Sequence, residues 1–138
     1  AGPAGGAAAL HLARAGWAVA VVERKAFPRR KVCGEYVSGT NLPAFERLGI
    51  AGAFPDAAGP PVRRAGFWAY EARVEAPMPA SPHGDGRALS RQVLDELLLN
   101  RARLAGAEVL QPWDAVALRR EGDGYAVDAA GAGRQRTL

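Results

Sequence analysis

The first 23 residues, AGPAGGAAALHLARAGWAVAVVE (Ala1–Glu23), contain the pattern that decides the fold. Gly2 and Gly5, separated by Pro3 and Ala4, fit the second and third glycines of the G-x-G-x-x-G turn of dinucleotide-binding domains. In that turn the backbone approaches a pyrophosphate, and the start of the following helix attracts the phosphates. Two glycines in an alanine-rich segment are a weak signal alone, and a plain glycine-rich helix start is the alternative.

The residues after the glycines support the dinucleotide interpretation. Gly5–Ala15 is rich in Ala, Leu and Arg and predicts a helix, which Gly16 ends. Ala18–Val22 is a continuous apolar run and predicts a strand buried on both faces, as in a parallel sheet. The strand leads to Glu23, where the motif expects an acid for the ribose hydroxyls, about 20 residues on. An acid there favours FAD or NAD over NADP; a solvated strand-end charge is the alternative.

Helices and loops are predicted for much of the remaining chain. Gly and Pro content predicts loops, at Ala26–Thr40, Ala51–Pro61 and Ala80–Gly86. A helix is predicted over Leu42–Leu48 with Asn41 as N-cap, and another over Arg91–Ala105 with Ser90 as N-cap. Helical spacing in the second predicts a buried stripe of Leu94, Leu97, Leu98 and Ala102.

Short strands complete the predicted pattern of elements. They are one or two strands within Ala65–Ala76, then Ala88–Ser90, Glu108–Leu110, Val116–Arg120, Tyr125–Ala129 and a strand beginning at Arg134. The first helix has no strand before it, and the last strand is cut at Leu138. Because elements occur in packed layers, we expect an α/β domain that is incomplete at both ends.

Composition limits the classes of protein to consider. The chain has 138 residues, of which 49% are hydrophobic and 23% charged, an ordinary balance for one globular domain. It contains no apolar run of about 18 residues and no recognisable signal peptide. The net charge of +4 fits a basic surface or a site for an anionic ligand. Zinc-finger spacing and aromatic-interleaved basic patches are absent, so no nucleic-acid partner is expected.

The stretch Ala1–Glu35 resembles the start of flavoproteins of the glutathione-reductase-like FAD superfamily. Within that superfamily it is similar to the branch of geranylgeranyl reductases and aromatic hydroxylases, which are flavoprotein monooxygenases or reductases. FPRRKVCGE (Phe27–Glu35) resembles a loop of geranylgeranyl-reductase-like and halogenase-like proteins. LSRQVLDELLLNRARLAGAEV (Leu89–Val109) resembles a strand leading into a helix opened by a flavin-contacting arginine.

This resemblance implies a Rossmann-like FAD-binding domain over residues 1–138, a parallel sheet with helices and a β-meander, in which residues 62–86 begin the strands of a substrate domain. It places the pyrophosphate along Gly2, Pro3, Ala4 and Gly5. Glu23 would bind the ribose, and Arg24 with the backbone at Ala115 and Val116 would contact the adenine. Lys31, Cys33 and Gly34 would lie near the isoalloxazine edge. Arg91 and Gln92 would contact the flavin side of the cofactor. The family's first glycine and its downstream Gly-Asp motif are missing, so the chain holds about half of the cofactor site.

Several side chains allow two interpretations. Cys33 is either a thiol beside the flavin or a small buried filler. The run Arg29, Arg30 and Lys31 either contacts the cofactor or is solvated. Arg91 opens a helix, where the macrodipole disfavours a cation, so we expect it to have a polar or anionic partner outside the helix.

Aromatic and histidine side chains are less informative. Trp68 and Tyr70 would alternate on one strand face, where they either pack or line a substrate cavity. His11 and His83 have no partner at catalytic spacing, and with one cysteine they give no convincing metal site. Trp113 is predicted to be a packing residue.

The expected function is that of the cofactor-binding part of an FAD-dependent oxidoreductase. Its substrate would be a small apolar or aromatic molecule, reduced or hydroxylated, with NAD(P)H as a candidate reductant. The loop of Lys31, Cys33 and Gly34 favours a reductase. The alternatives are an NAD-binding module without flavin chemistry and a fragment without activity of its own. Cysteine usage fits the cytoplasm, peripheral membrane attachment stays open, and the oligomeric state is not predicted.

Overall fold

The computed structural model describes all of residues 1–138. The helices are α1 (Pro3–Arg14), α2 (Leu42–Leu48), α3 (Phe54–Ala57) and α4 (Arg91–Leu104), with a 3-10 turn at Gly39–Asn41. The strands are β1 (Ala20–Val22), β2 (Tyr36–Val37), β3 (Arg64–Ala69), β4 (Ala72–Pro77), β5 (Arg87–Ala88), β6 (Glu108–Leu110), β7 (Asp114–Glu121), β8 (Gly124–Gly131) and β9 (Arg134–Thr137). The predicted α/β class is confirmed.

A parallel pair of strands with two helices forms the first half of the core. β1 and β6 pair in parallel with Val21 opposite Val109, and the backbone N–H of Glu23 extends the ladder to the carbonyl oxygen of Leu110 at 2.9 Å. The predicted burial of β1 on both faces is wrong, because Ala20 is exposed and Val21 is half-buried. One edge of β1 pairs with β6, while the other has no strand beside it.

Helices α1 and α4 run parallel to each other. Their starts meet where Gly2 lies beside Arg91, and their ends meet where Arg14 and Arg101 both reach Gly49. Between these points Gly6 is buried against α4, since a Cβ there would lie 3.1 Å from the Cβ of Leu98. A small cluster of buried side chains holds the pair together, namely Ala9, Leu10, Ala102 and Ala107.

A second apolar cluster packs under the loops that join these elements. It contains Val37, Phe45, Ile50, Phe54, Leu89 and Leu98. Phe45 and Phe54 meet edge to face with ring centres 5.2 Å apart. Helix α2 has the predicted bounds and ends at Gly49 with φ +74°. Asn41 gives α2 no side-chain cap, and the predicted loops around α2 contain β2, the 3-10 turn and α3.

Helix α4 begins as predicted, and two of the four residues of its predicted stripe, Leu98 and Ala102, are buried. The hydroxyl oxygen of Ser90 accepts a hydrogen bond from the N–H of Val93 at 3.2 Å, which confirms the N-cap. The buried residues of the helix share one face and are Asp95, Leu98, Leu99 and Ala102. Leu94 and Leu97 are only half-buried, so the predicted stripe is shifted around the helix.

Two antiparallel units complete the chain. The β3–β4 hairpin pairs Phe67 with Val74 and has no third strand. Tyr70 lies in its turn with φ +52°, so it does not share a strand face with Trp68 as predicted. The meander β7–β8–β9 follows the order predicted from its turns, and Trp113 packs against Gly131 beside it. None of the helices is both long and apolar enough to span a membrane.

Candidate dinucleotide-binding site

The glycine-rich turn leads directly into α1. Gly2 is the N-cap residue in an extended conformation, and its carbonyl oxygen accepts from the N–H of Gly6 at 2.7 Å. Pro3 occupies the first helical position, where its missing N–H costs nothing. The N–H groups of Ala4 and Gly5 have no partner within the helix, as at every α-helix start. The turn therefore offers backbone donors and the positive end of a helix dipole to an anion.

Two cationic side chains converge on Gly2. A Cβ at this residue would lie 3.4 Å from Nη2 of Arg91 and 3.7 Å from Nζ of Lys31. The loop before β2 carries Lys31, and the start of α4 carries Arg91, so two distant parts of the chain supply the charges. Because residue 2 has no side chain, the space between the cations stays open. The two positive charges suit an anionic group such as a phosphate.

Arg91 is held by a carboxylate of its own helix. Its Nε and Nη2 atoms donate to the two carboxylate oxygens of Asp95, both at 3.0 Å. Asp95 is only 2% exposed. The hydrogen bonds to Asp95 are the main reason that the pKa of Arg91 is raised, against an opposing effect of burial, and a hydrogen bond with Cys33 adds to the rise. Asp95 lies in the same helix as Arg91, so it is not the partner outside the helix that the sequence predicts, and that partner stays a prediction.

Glu23 is buried at the end of β1. Its Oε1 accepts from the backbone N–H of Lys25 at 2.9 Å, and its Oε2 accepts from Arg29 at 2.9 Å and from the amino terminus of Ala1. Burial raises its pKa, but the hydrogen bonds from Ala1, Lys25 and Arg29 outweigh that effect and lower the pKa from 4.5 to about 2. The alternative of a solvated strand-end charge is wrong, because Glu23 is 6% exposed.

Arg29 lies inward, unlike a solvated loop residue. Its Nη2 atom bridges the carboxylate of Glu23 and the carbonyl oxygen of Ala1, at 2.9 and 3.0 Å. The guanidinium also lies over the ring of Phe27 at 5.3 Å, and its buried Nε has no partner. The interpretation of the Arg29–Lys31 run as solvated is therefore wrong for Arg29, whereas Arg30 is exposed.

The residues assigned to the adenine lie near the end of the parallel pair. Arg24 is exposed, with Nε 3.9 Å from a carboxylate oxygen of Asp114 at the start of β7. The ladder between β7 and β8 shifts register between Ala115 and Ala117, so that Val116 faces no partner residue and is exposed. A bulge of this kind leaves backbone N–H and C=O groups free that a regular hydrogen-bond ladder between the strands would otherwise pair.

The structure brings most of the predicted site residues to one side of the chain. Gly2, Lys31 and Arg91 meet at the turn, and Cys33 lies near Arg91. Cys33 is exposed, so its interpretation as a buried filler is wrong. Gly34 is exposed as well, and Gln92 is half-buried in the first turn of α4.

The sequence did not identify the structural contacts of three residues at the candidate site, namely Asp95, Gly6 and Arg29. Asp95 could have been found from its spacing of four residues from Arg91 on a helix with a buried face. Gly6 is the glycine that packs closely against α4. The motif spacing points instead to its neighbour Gly5, where a Cβ would meet nothing within 4 Å. Nothing in the loop pattern singles out Arg29 as the partner of Glu23.

The glycine turn, the helix start, the paired cations and the acid after β1 define a dinucleotide-binding α/β domain. The family model described as "FAD binding domain" matches residues 1–138. The chain therefore belongs to the FAD binding domain family, whose cofactor is FAD.

Curated relatives include two mycobacterial enzymes. The chain is 34% identical over 121 residues to "Menaquinone reductase" of Mycobacterium tuberculosis, covering 88% of this chain and 29% of that protein. It is 35% identical over 113 residues to "Menaquinone reductase" of Mycolicibacterium smegmatis, covering 80% and 27%. The chain thus spans less than a third of the length of these relatives.

Solved structures show the same fold. The myxobacterial chondrochloren halogenase CndH, described as an FAD-dependent halogenase, matches with TM-score 0.82 and 25% identity, over 99% of this chain and 33% of that one. A geranylgeranyl bacteriochlorophyll reductase-like protein of Thermoplasma acidophilum matches with TM-score 0.78 and 21% identity, over 97% and 34%. The chain is accordingly an FAD-binding domain, and the similar proteins include reductases and a halogenase.

Proposed function

We propose that this chain binds the ADP half of FAD in a flavin-dependent reductase. The observation that carries the proposal is the open space at Gly2, which lies between Arg91 and Lys31 at the start of α1. The pyrophosphate would lie along Gly2, Pro3, Ala4 and Gly5, with the two cations beside it. A side chain at residue 2 would occupy that space, so the residues present fit the group they would hold.

The remaining contacts extend from the turn in two directions. Glu23 keeps an acceptor site on Oε1, which holds one hydrogen bond in the structure, and this site would bind a ribose hydroxyl. Arg24 and the backbone at Ala115 and Val116 would meet the adenine. Cys33 and Gly34 would lie toward the isoalloxazine, with Gln92 behind Arg91, whereas Lys31, which the resemblance assigns to the isoalloxazine edge, is proposed for the pyrophosphate because it lies at Gly2.

Bound FAD would supply the chemistry, accepting a hydride and passing electrons to a substrate. The residues of this chain bind and orient it. Arg91 and Lys31 neutralise phosphate charge, and Glu23 fixes the ribose. Cys33 lies near Arg91 and would shape the surroundings of the flavin. These are binding and electrostatic roles.

A reductase is favoured over a monooxygenase. The curated relatives at 34% and 35% identity carry the name menaquinone reductase, and the Lys31–Gly34 loop lies beside the glycine turn. The substrate would then be an apolar small molecule such as a quinone or another alkene. Residues 62–86 would begin the substrate domain, which fits the exposed β3–β4 hairpin with its single strand pair.

Cofactor binding is tested by purifying the complete protein and recording its visible spectrum. We expect flavin absorbance, and release of FAD rather than FMN on denaturation. A colourless protein that takes up no added FAD would refute the flavoprotein assignment. NAD binding in place of FAD would support the alternative of a nicotinamide module.

The reaction type is tested with the FAD-loaded protein under two conditions. Reduced anaerobically and mixed with menaquinone, a reductase reoxidises its flavin and yields a product that has gained two hydrogen atoms. Supplied with NAD(P)H and O₂, a monooxygenase yields a product that has gained one oxygen atom. Oxygen insertion without anaerobic turnover would contradict the reductase proposal and leave FAD binding intact.

A further inference from the structure

Asp95 is the one carboxylate in the interior of the helix pair. It lies in α4 four residues after Arg91, and both its oxygens accept hydrogen bonds from that guanidinium at 3.0 Å. Its side chain is 1% exposed, whereas the side chain of Arg91 is 20% exposed. A buried carboxylate with a single bidentate partner is costly unless the pairing is well formed. The pair therefore favours one orientation of the arginine.

The geometry of the guanidinium shows what this orientation achieves. Arginine has five N–H donors in a rigid plane, and Asp95 uses one on Nε and one on Nη2. Three N–H donors are left, and Nη2 lies 3.4 Å from the Cβ position of Gly2. Nη2 donates one of its two N–H groups to Asp95 and keeps the other, so the fixed guanidinium still presents a free donor beside the glycine turn.

We propose that Asp95 is a positioning residue, which holds Arg91 so that its free N–H groups meet the cofactor phosphates at Gly2. The inference rests on the proposed function, because it needs FAD at this turn. It adds a residue that never touches the cofactor. Charge alone argues for the opposite effect, since a carboxylate near phosphates repels them. Any benefit of Asp95 to binding must therefore come from the geometry it gives Arg91.

A double-mutant cycle on the dissociation constant of FAD separates positioning from a general structural role. In the complete protein, stripped of flavin and titrated with FAD, Asp95→Asn and Arg91→Gln should each weaken binding about tenfold, as expected for one charge-assisted hydrogen bond. The double variant should bind no more weakly than Arg91→Gln alone. Additive losses, or binding by Asp95→Asn as tight as or tighter than that of the parent protein, would overturn the inference.

Matched variants keep the result interpretable. Asp128→Asn breaks another bidentate pair, with Arg119 at 3.0 and 2.9 Å, but on the exposed meander, and should leave FAD affinity unchanged. If Asp95→Asn does not fold, Arg91→Met with Asp95→Leu replaces the whole pair by apolar side chains. That variant should bind FAD as weakly as Arg91→Met alone, and a further loss would overturn the inference.

The controls also distinguish this inference from the proposed function. If the parent protein takes up no FAD, the proposed function fails and the role of Asp95 fails with it. If the parent binds FAD and Asp95→Asn binds it equally well, only the role of Asp95 fails. Thermal unfolding of each flavin-free variant shows how much of any loss comes from a less stable fold.

Discussion

Arg29 and Glu23 form a hydrogen-bonded ion pair at 2.9 Å, and the same Nη2 atom of Arg29 donates to the carbonyl oxygen of Ala1 at 3.0 Å. The arginine thereby ties the residue before the glycine turn to the end of β1. These are the positions proposed for the pyrophosphate and the ribose. Their separation is fixed by a side chain from a third segment, the loop after β1.

Replacing Glu23 by Gln should weaken FAD binding by about tenfold, because an amide offers one acceptor oxygen in place of two and leaves Arg29 without its counter-charge. Fluorescence titration of the flavin-free protein measures the effect. Glu121→Gln, at the exposed end of β7, serves as the control. An unchanged affinity would refute the ribose role of Glu23.

The ionised carboxylate of Glu23 should make the chain less stable in acid. The hydrogen bonds from Lys25 and Arg29 favour the ionised carboxylate and hold its folded pKa below the ordinary 4.5, so its stabilising contribution is complete above pH 4.5 and is lost as the pH falls below that value. The free energy of unfolding should fall over this range and fall less in Glu23→Gln. Denaturant unfolding at several pH values measures both slopes, and equal slopes would show that the pKa is not lowered.

Gly2→Ala should weaken FAD binding while leaving the fold intact. The added methyl group would lie in ordinary contact with Arg91 and Lys31, at 3.4 and 3.7 Å, so the free protein accommodates it. It would fill the space proposed for a phosphate, and we expect at least about a tenfold loss of affinity. Thermal unfolding without flavin should show no change. Full FAD affinity in this variant would place the pyrophosphate elsewhere.

Gly6→Val should destabilise the fold itself. A Cβ at residue 6 already lies 3.1 Å from the Cβ of Leu98, and the branched side chain would force α1 away from α4. We expect a loss of about 1–3 kcal/mol, as for other overpacked cores. Gly52→Val, where a Cβ would meet nothing within 4 Å, is the control. Equal stability of the two variants in urea would contradict the close packing of the helices.

Local patterns predicted most elements of this chain. Helix α2, strand β6 and the Ser90 cap follow from short-range signals such as turn residues, periodicity and capping, and the structure confirms them. The burial of β1 was predicted wrongly because a continuous apolar run does not say which neighbours are present. Tyr70 was misplaced because β3 ends at Ala69 and Tyr70 turns the chain with a positive φ, which the alternating pattern does not indicate.

Residues of the candidate site could be predicted where a single sequence motif contains both the residue and the reason for its expected role. Glu23 was predicted from its distance to the glycines, and Arg91 from the family resemblance together with its unfavourable place at a helix start; their binding roles stay predictions. Arg29 and Asp95 were missed because their roles depend on partners fixed by tertiary structure: a buried carboxylate after β1 and a helix face turned toward the core. Their assignment required the positions of side chains.

The parallel arrangement of α1 and α4 gives the domain an electrical polarity. Each helix carries about half a positive elementary charge at its start, and because the side chain that opens α4 reaches Gly2, both positive poles lie on the same side of the helix pair instead of at opposite ends, as in an antiparallel pair. The opposite end gathers the negative poles, and Arg14 and Arg101 converge on that end at Gly49. Grafting the glycine turn onto an antiparallel helix hairpin would therefore transfer the loop but lose half of the field that attracts an anion to it.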